Sequence, residues 1–115
     1  MTQKSSPFRS LTQAFDVVRL LGPLLPRVAS KDRPLADQLR RAAQSAALNL
    51  AESRGHRGGN ERLCRERALG STYEVMACLE IARSWGYLPT AAADEALRES
   101  DRLAGMTYRL LHPKR

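Results

Sequence analysis

A chain of 115 residues with 43% hydrophobic and only 5% aromatic side chains makes one domain with a thin core and leaves no room for a second. Its formal charge of +7 rests on arginine, since Lys4, Lys31 and Lys114 are the only lysines among 19 basic residues. That balance points to nucleic acid or another polyanion as partner, although a GC-rich gene also encodes an arginine- and alanine-rich chain.

Residues 1–9 read as a disordered N-terminal segment. The first helix spans residues 10–29, with Leu11, Phe15, Val18, Leu21, Leu25 and Val28 on one stripe. Gly22, Pro23 and Pro26 interrupt it, and a kink or break is expected because each proline removes a donor and crowds the preceding turn. The second helix follows an Asp32 cap, has Pro34 at its first position and ends near residue 53. Its seam is Leu35, Leu39, Ala42, Ala46, Asn49 and Ser53, mostly small residues that let a neighbouring helix approach closely.

The third helix starts at an Asn60 cap and runs to Trp85 before Gly86 ends it. Cys64, Ala68, Ser71, Val75, Cys78, Ala82 and Trp85 form one stripe, and Leu69, Met76 and Leu79 a second, so burial on two sides is implied. Trp85 is expected to pack against the start of the fourth helix rather than serve with Tyr87 as a base-stacking platform. That fourth helix, capped by Thr90, carries Ala93, Leu97, Ser100, Ala104, Thr107 and Leu111 on its seam and closes at His112 and Pro113, leaving 113–115 as a basic tail. Connections of about four to eight residues make consecutive helices antiparallel. The expected fold is all-α, an up-down-up-down antiparallel four-helix bundle over residues 10–112.

No apolar run approaches the about 18 residues of a membrane span, no secretory leader is legible and two cysteines make no disulfide framework. A cytoplasmic protein without membrane contact is expected. Cys64 and Cys78, fourteen residues apart on one helix, lie about 21 Å apart along its axis and cannot pair within a chain. So small a core per residue also favours self-association, with Leu48 a candidate for subunit contact.

Arg54, His56, Arg57, Arg62, Arg65 and Arg67 crowd the turn between the second and third helices, opposed by Glu61 and Glu66. Arginine forks grip phosphate, and the amides of Gly58, Gly59 and the helix start add donors, so this turn is the candidate surface for RNA or DNA. A merely solvated loop has the same composition. Asn49, with Ser45 and Ser71, and Glu74 balanced by Arg41, reads as a buried polar cluster that sets helix register.

The glycine turn lacks the lysine-serine ending and the preceding strand of a nucleotide-binding loop. His56 and His112 stand apart from each other and from the cysteines, so no metal, no cofactor and no catalytic set is expected.

Leu35-Ala36-Asp37-Gln38-Leu39-Arg40-Arg41-Ala42-Ala43-Gln44-Ser45, then Asn49-Leu50-Ala51-Glu52, Ala68-Leu69-Gly70-Ser71-Thr72-Tyr73-Glu74 and Gly86-Tyr87-Leu88 follow in an order that resembles a known family. It is the four-helix-bundle proteins of intervening sequences in 23S ribosomal RNA genes, related to the accessory proteins of diversity-generating retroelements. The chain departs from the family pattern at Ser53, where glycine is usual, and in lacking aromatics over residues 61–65. The resemblance implies a homopentamer around a central channel and no enzymatic activity. It also implies a nucleic-acid ligand, or a protein partner such as a reverse transcriptase for which the chain is a scaffold or accessory subunit.

Overall fold

The computed structural model describes residues 6–114, and the chain there is all-helical. Five helices follow one another: α1 (Pro7–Leu21), α2 (Leu25–Ala29), α3 (Arg33–Ser53), α4 (Gly59–Ser84) and α5 (Thr90–Leu111). No helix among the described residues is long and apolar enough to cross a membrane.

The N-terminal helix starts earlier than its apolar pattern implies. Ser6 caps it by accepting from the amide of Arg9 at 3.3 Å, and Pro7, whose missing N–H costs nothing there, opens the first turn. Residues 7–9 are therefore helical, while residues 1–5 of the expected disordered segment, and Arg115 of the tail, lie outside the described residues. The expected break falls at Gly22–Leu24, where Pro23 cannot donate, and α2 resumes as a separate short helix with Pro26 in its first turn.

The expected stripe is buried in part: Leu21 and Val28 are enclosed, and Leu11 and Leu25 pack against the core. Ser10, Gln13, Ala14, Val17 and Leu21 turn inward, whereas Phe15 and Val18 are exposed. Small side chains permit close approach to the alanine-lined neighbours, and the buried Gln13 amide has a specific partner. Its Nε2 donates to both the carbonyl and Oε1 of Glu99 on α5, each at 2.9 Å.

Asp32 caps α3 as its position suggests, accepting from Leu35 N at 3.0 Å, with Pro34 in the first turn. Leu35, Leu39, Ala42, Ala46 and Ser53 are buried as the seam requires, joined by Ala36, Ala43, Ala47 and Leu50. The turn into α4 needs one left-handed residue, which Gly58 supplies at φ 62°, so α4 starts at Gly59 and not from an Asn60 cap. Pro89 precedes α5 and Thr90 is its first helical residue rather than its cap.

Cross-helix bonds fix the directions. Ser71 donates to Ser45 at 2.8 Å and Gln38 to Glu74 at 3.3 Å, so α3 and α4 run antiparallel. The Arg62–Leu111 and Arg83–Asp94 pairs do the same for α4 and α5. α1 lies against α3 and α5, α4 against the same two, and α2 against α3. These neighbour relations are those of a four-helix up-down-up-down arrangement with α2 as an added turn, in a body of 44 × 30 × 18 Å.

The core is Leu21, Val28, Leu39, Leu50, Val75, Leu79 and Leu103 set among alanines. At the α4–α5 corner Leu88 and Tyr87 pack against it, and Trp85, expected there, stands 71% exposed.

Candidate nucleic-acid interface

The basic residues gather around the α3–α4 turn, residues 54–58, but the fold sorts them. Arg54 closes α3, its amide donating to the carbonyls of Ala51 and Glu52, and its guanidinium carbon sits 5.9 Å from the centre of the Phe8 ring at the start of α1. That stacking holds an exposed arginine at the bundle end. Arg57, in the turn itself, and Arg67, two turns into α4, are exposed and make no hydrogen bond or ion pair among the described residues.

Two of the expected arginines are spent inside the protein. Arg62 Nη1 donates to the carbonyl of Leu111 at 3.2 Å, neutralising the negative end of α5. Arg65 is turned inward, its side chain 15% exposed, with Nη1 3.5 Å from Glu61 Oε1 and a buried Nε that has no partner among the described residues. The reason is helical phase: Arg62 and Arg65 share the flank that leads to Arg83 and α5, while Arg67 shares the flank of Ser71 and Glu74 that meets α3.

His56 Nε2 lies 3.5 Å from Glu52 Oε1, one helical turn back. Sequence spacing alone leaves His56 and the cysteines unclustered. The turn instead brings Glu52, His56 and Cys64 together, with one donor atom from each within 4.8 Å of the others. Glu52 and His56 at i and i+4 were a visible signal. What spacing could not show is that the Gly58 reversal swings the buried face of α4, and Cys64 with it, onto them.

The polar cluster assembles in part. Asn49 Nδ2 donates back to Ser45, to its carbonyl at 2.9 Å and its hydroxyl at 3.1 Å, and Ser71 donates to that same hydroxyl. All three are half-buried at the α3–α4 seam rather than deep in the core. Glu74 takes Gln38 and not Arg41, which is exposed. At Cys78, burial and the nearby Glu74 charge push the thiol up, so it stays protonated at neutral pH. Arg83 is held more firmly protonated by hydrogen bonds to Asp94 and Glu80, each at 2.6 Å.

The family model of the 23S rRNA-intervening sequence proteins matches residues 10–109. The chain belongs to that family. Among solved structures, the chain is similar to a protein of unknown function from the S23 ribosomal protein family of Bacteroides thetaiotaomicron. The two share 12% identity at a TM-score of 0.82, over 89% of this chain and 97% of that one, a likeness of fold alone. No curated protein matches the sequence significantly. The intervening-sequence motifs at Leu35–Ser45 and Ala68–Glu74 face each other across the α3–α4 seam, where Ser45 meets Ser71 and Gln38 meets Glu74.

Proposed function

We propose that this protein is a non-enzymatic, homopentameric binding bundle of the cytoplasm whose α3–α4 end takes the phosphate backbone of RNA or DNA. The observation that carries the reading is that Arg57, in the turn before α4, and Arg67, two turns into it, are both exposed and without an acidic partner among the described residues. Gly58 caps that helix without a side chain, so its first amides stay open to an anion and the helix dipole favours one. Arg54, held over Phe8, adds a third positive group. His56 is adjacent, Arg62 contributes field rather than a free fork, and Arg65 drops out because it is half-buried and paired with Glu61.

Such contacts grip phosphate without reading bases, so binding is sequence-tolerant and salt-dependent. Titration of a structured RNA is expected to show affinity falling about tenfold between roughly 50 and 200 mM salt for every two phosphates neutralised. Arg57→Glu combined with Arg67→Glu is expected to abolish binding while leaving the helical content unchanged. Absence of binding at the lower salt, or affinity indifferent to salt, sinks the reading.

A second reading is favoured by one observation, the exposed apolar strip on α4. There Leu63, Tyr73, Ile81 and Trp85 face solvent, with the charged Glu66, Arg67 and Glu74 between them on the same face. In that case the protein is a scaffold or accessory subunit, docking a partner enzyme such as the reverse transcriptase that the family resemblance implies. RNA binding that persists in the double Arg→Glu protein shows that the turn is not the site.

A further inference from the structure

We propose that Glu52, His56 and Cys64 form a binding site for one zinc ion at the base of the α3–α4 turn. The three residues come from three settings that the fold fixes separately. Glu52 stands in the last turn of α3. His56 is returned toward it by a tight turn in which the His56 amide donates to Ser53 O at 3.3 Å and the Gly55 amide to Glu52 O at 3.0 Å. Ser53 is itself buried and locked by its hydroxyl donating to Leu50 O at 2.7 Å, so the base of the turn does not drift. Cys64 projects from the inner face of α4, only 5% exposed, after Gly58 has reversed the chain.

Donor atoms that share a tetrahedral zinc at about 2.0–2.3 Å lie roughly 3.3–3.8 Å apart. Here His56 Nε2 and Glu52 Oε1 are 3.5 Å apart, and all three donors fall within 4.8 Å of one another. The widest separation exceeds that tetrahedral span by about 1 Å, which closure on an ion has to take up. The donor set is one carboxylate, one imidazole and one thiol. A thiolate and an imidazole select zinc and its transition-metal neighbours over magnesium or calcium, which require oxygen ligands. Three protein donors leave a fourth position for water.

Binding removes the Cys64 proton to solvent as the sulfur–zinc bond forms. The charge at the site then changes from that of one carboxylate to zero, because zinc's two positive charges meet one carboxylate and one thiolate. The ion ties the end of α3 to the start of α4 across residues 54–58, the turn that carries Arg54 and Arg57. It thus restrains the basic turn whether or not that turn binds nucleic acid.

Cobalt(II) titration of the full-length protein tests the site, because tetrahedral cobalt bound to a thiolate gives a sulfur-to-metal charge-transfer band that oxygen or nitrogen sites lack. One equivalent is expected to saturate the band, and zinc to bleach it. Cys64→Ser is expected to abolish the band, and His56→Ala, a change in an exposed turn that does not threaten the fold, to weaken zinc binding by more than about 100-fold, beyond the loss typical of an outer-shell partner. Cys78→Ser, in the thiol that burial keeps protonated, and His112→Ala are expected to leave the titration unchanged. No charge-transfer band in the unmodified protein, a band that survives Cys64→Ser, or zinc affinity unaltered in His56→Ala overturns the proposal.

Discussion

At Asp32 a single carboxylate oxygen sits 3.0 Å from the amide of Leu35 and satisfies a donor that α3 cannot. Asp32→Ala is expected to cost about 1 kcal/mol, seen as a lower urea midpoint with unchanged slope, and Asp32→Asn to recover most of it. An unchanged midpoint in Asp32→Ala means the cap is dispensable. Caps of this kind were legible in the sequence because their chemistry is local, needing only a side-chain acceptor and three residues of chain. The basic cluster was legible as composition but not as a surface. Neighbouring positions on a helix differ by about 100° in direction, so Arg65 and Arg67 end in opposite environments although two residues apart. Arg65 is taken by Glu61 and burial, and Arg67 stays free. The Glu74–Gln38 pair, in place of Glu74–Arg41, reflects the same dependence on a register that one helix alone does not set.

At the scale of the element, α3 and α4 were readable because their seams are continuous and unambiguous, small residue after small residue. α1 was not. Its buried face keeps Leu21 of the expected stripe but turns toward Ser10, Ala14 and Val17 and away from Phe15 and Val18, with the Gln13–Glu99 bonds on that side. A hydrophobicity count misses this turn of the helix because it ignores volume. Volume is also what makes the α3 seam fragile. Ala46, 2% exposed among packed neighbours, has no space for three more carbons, so Ala46→Leu is expected to destabilise by about 1–3 kcal/mol through displaced helices. Chemical denaturation measures this directly. A neutral or stabilising outcome means that the seam holds slack which close packing of the helices denies.

For the whole molecule, the decisive quantity is how much apolar surface a body only 18 Å thick leaves uncovered. Leu63, Tyr73, Ile81 and Trp85 lie exposed along α4, on a strip that includes Gly70 and Ala77 but also the charged Glu66, Arg67 and Glu74, and Leu48 is exposed on the adjoining α3. From Leu63 to Trp85 the strip runs about 33 Å at 1.5 Å per residue, long for a protein that stays monomeric. Covering it with further copies of the chain compensates for a core built largely of alanine, whose burial contributes little per residue. If the chain forms the homopentamer that the family resemblance implies, light scattering at micromolar concentration is expected to give five times its 12.8 kDa mass. Ile81→Glu and Tyr73→Glu each place a charge in the strip without touching the core, since both residues are exposed within the chain. Either is expected to shift the mass toward that of one chain while far-UV circular dichroism stays unchanged. If the unmodified protein scatters as a monomer, the pentamer is wrong. If it assembles but neither glutamate disturbs the assembly, the interface lies elsewhere, with the exposed Phe8, Phe15 and Val18 of α1 the next face to probe.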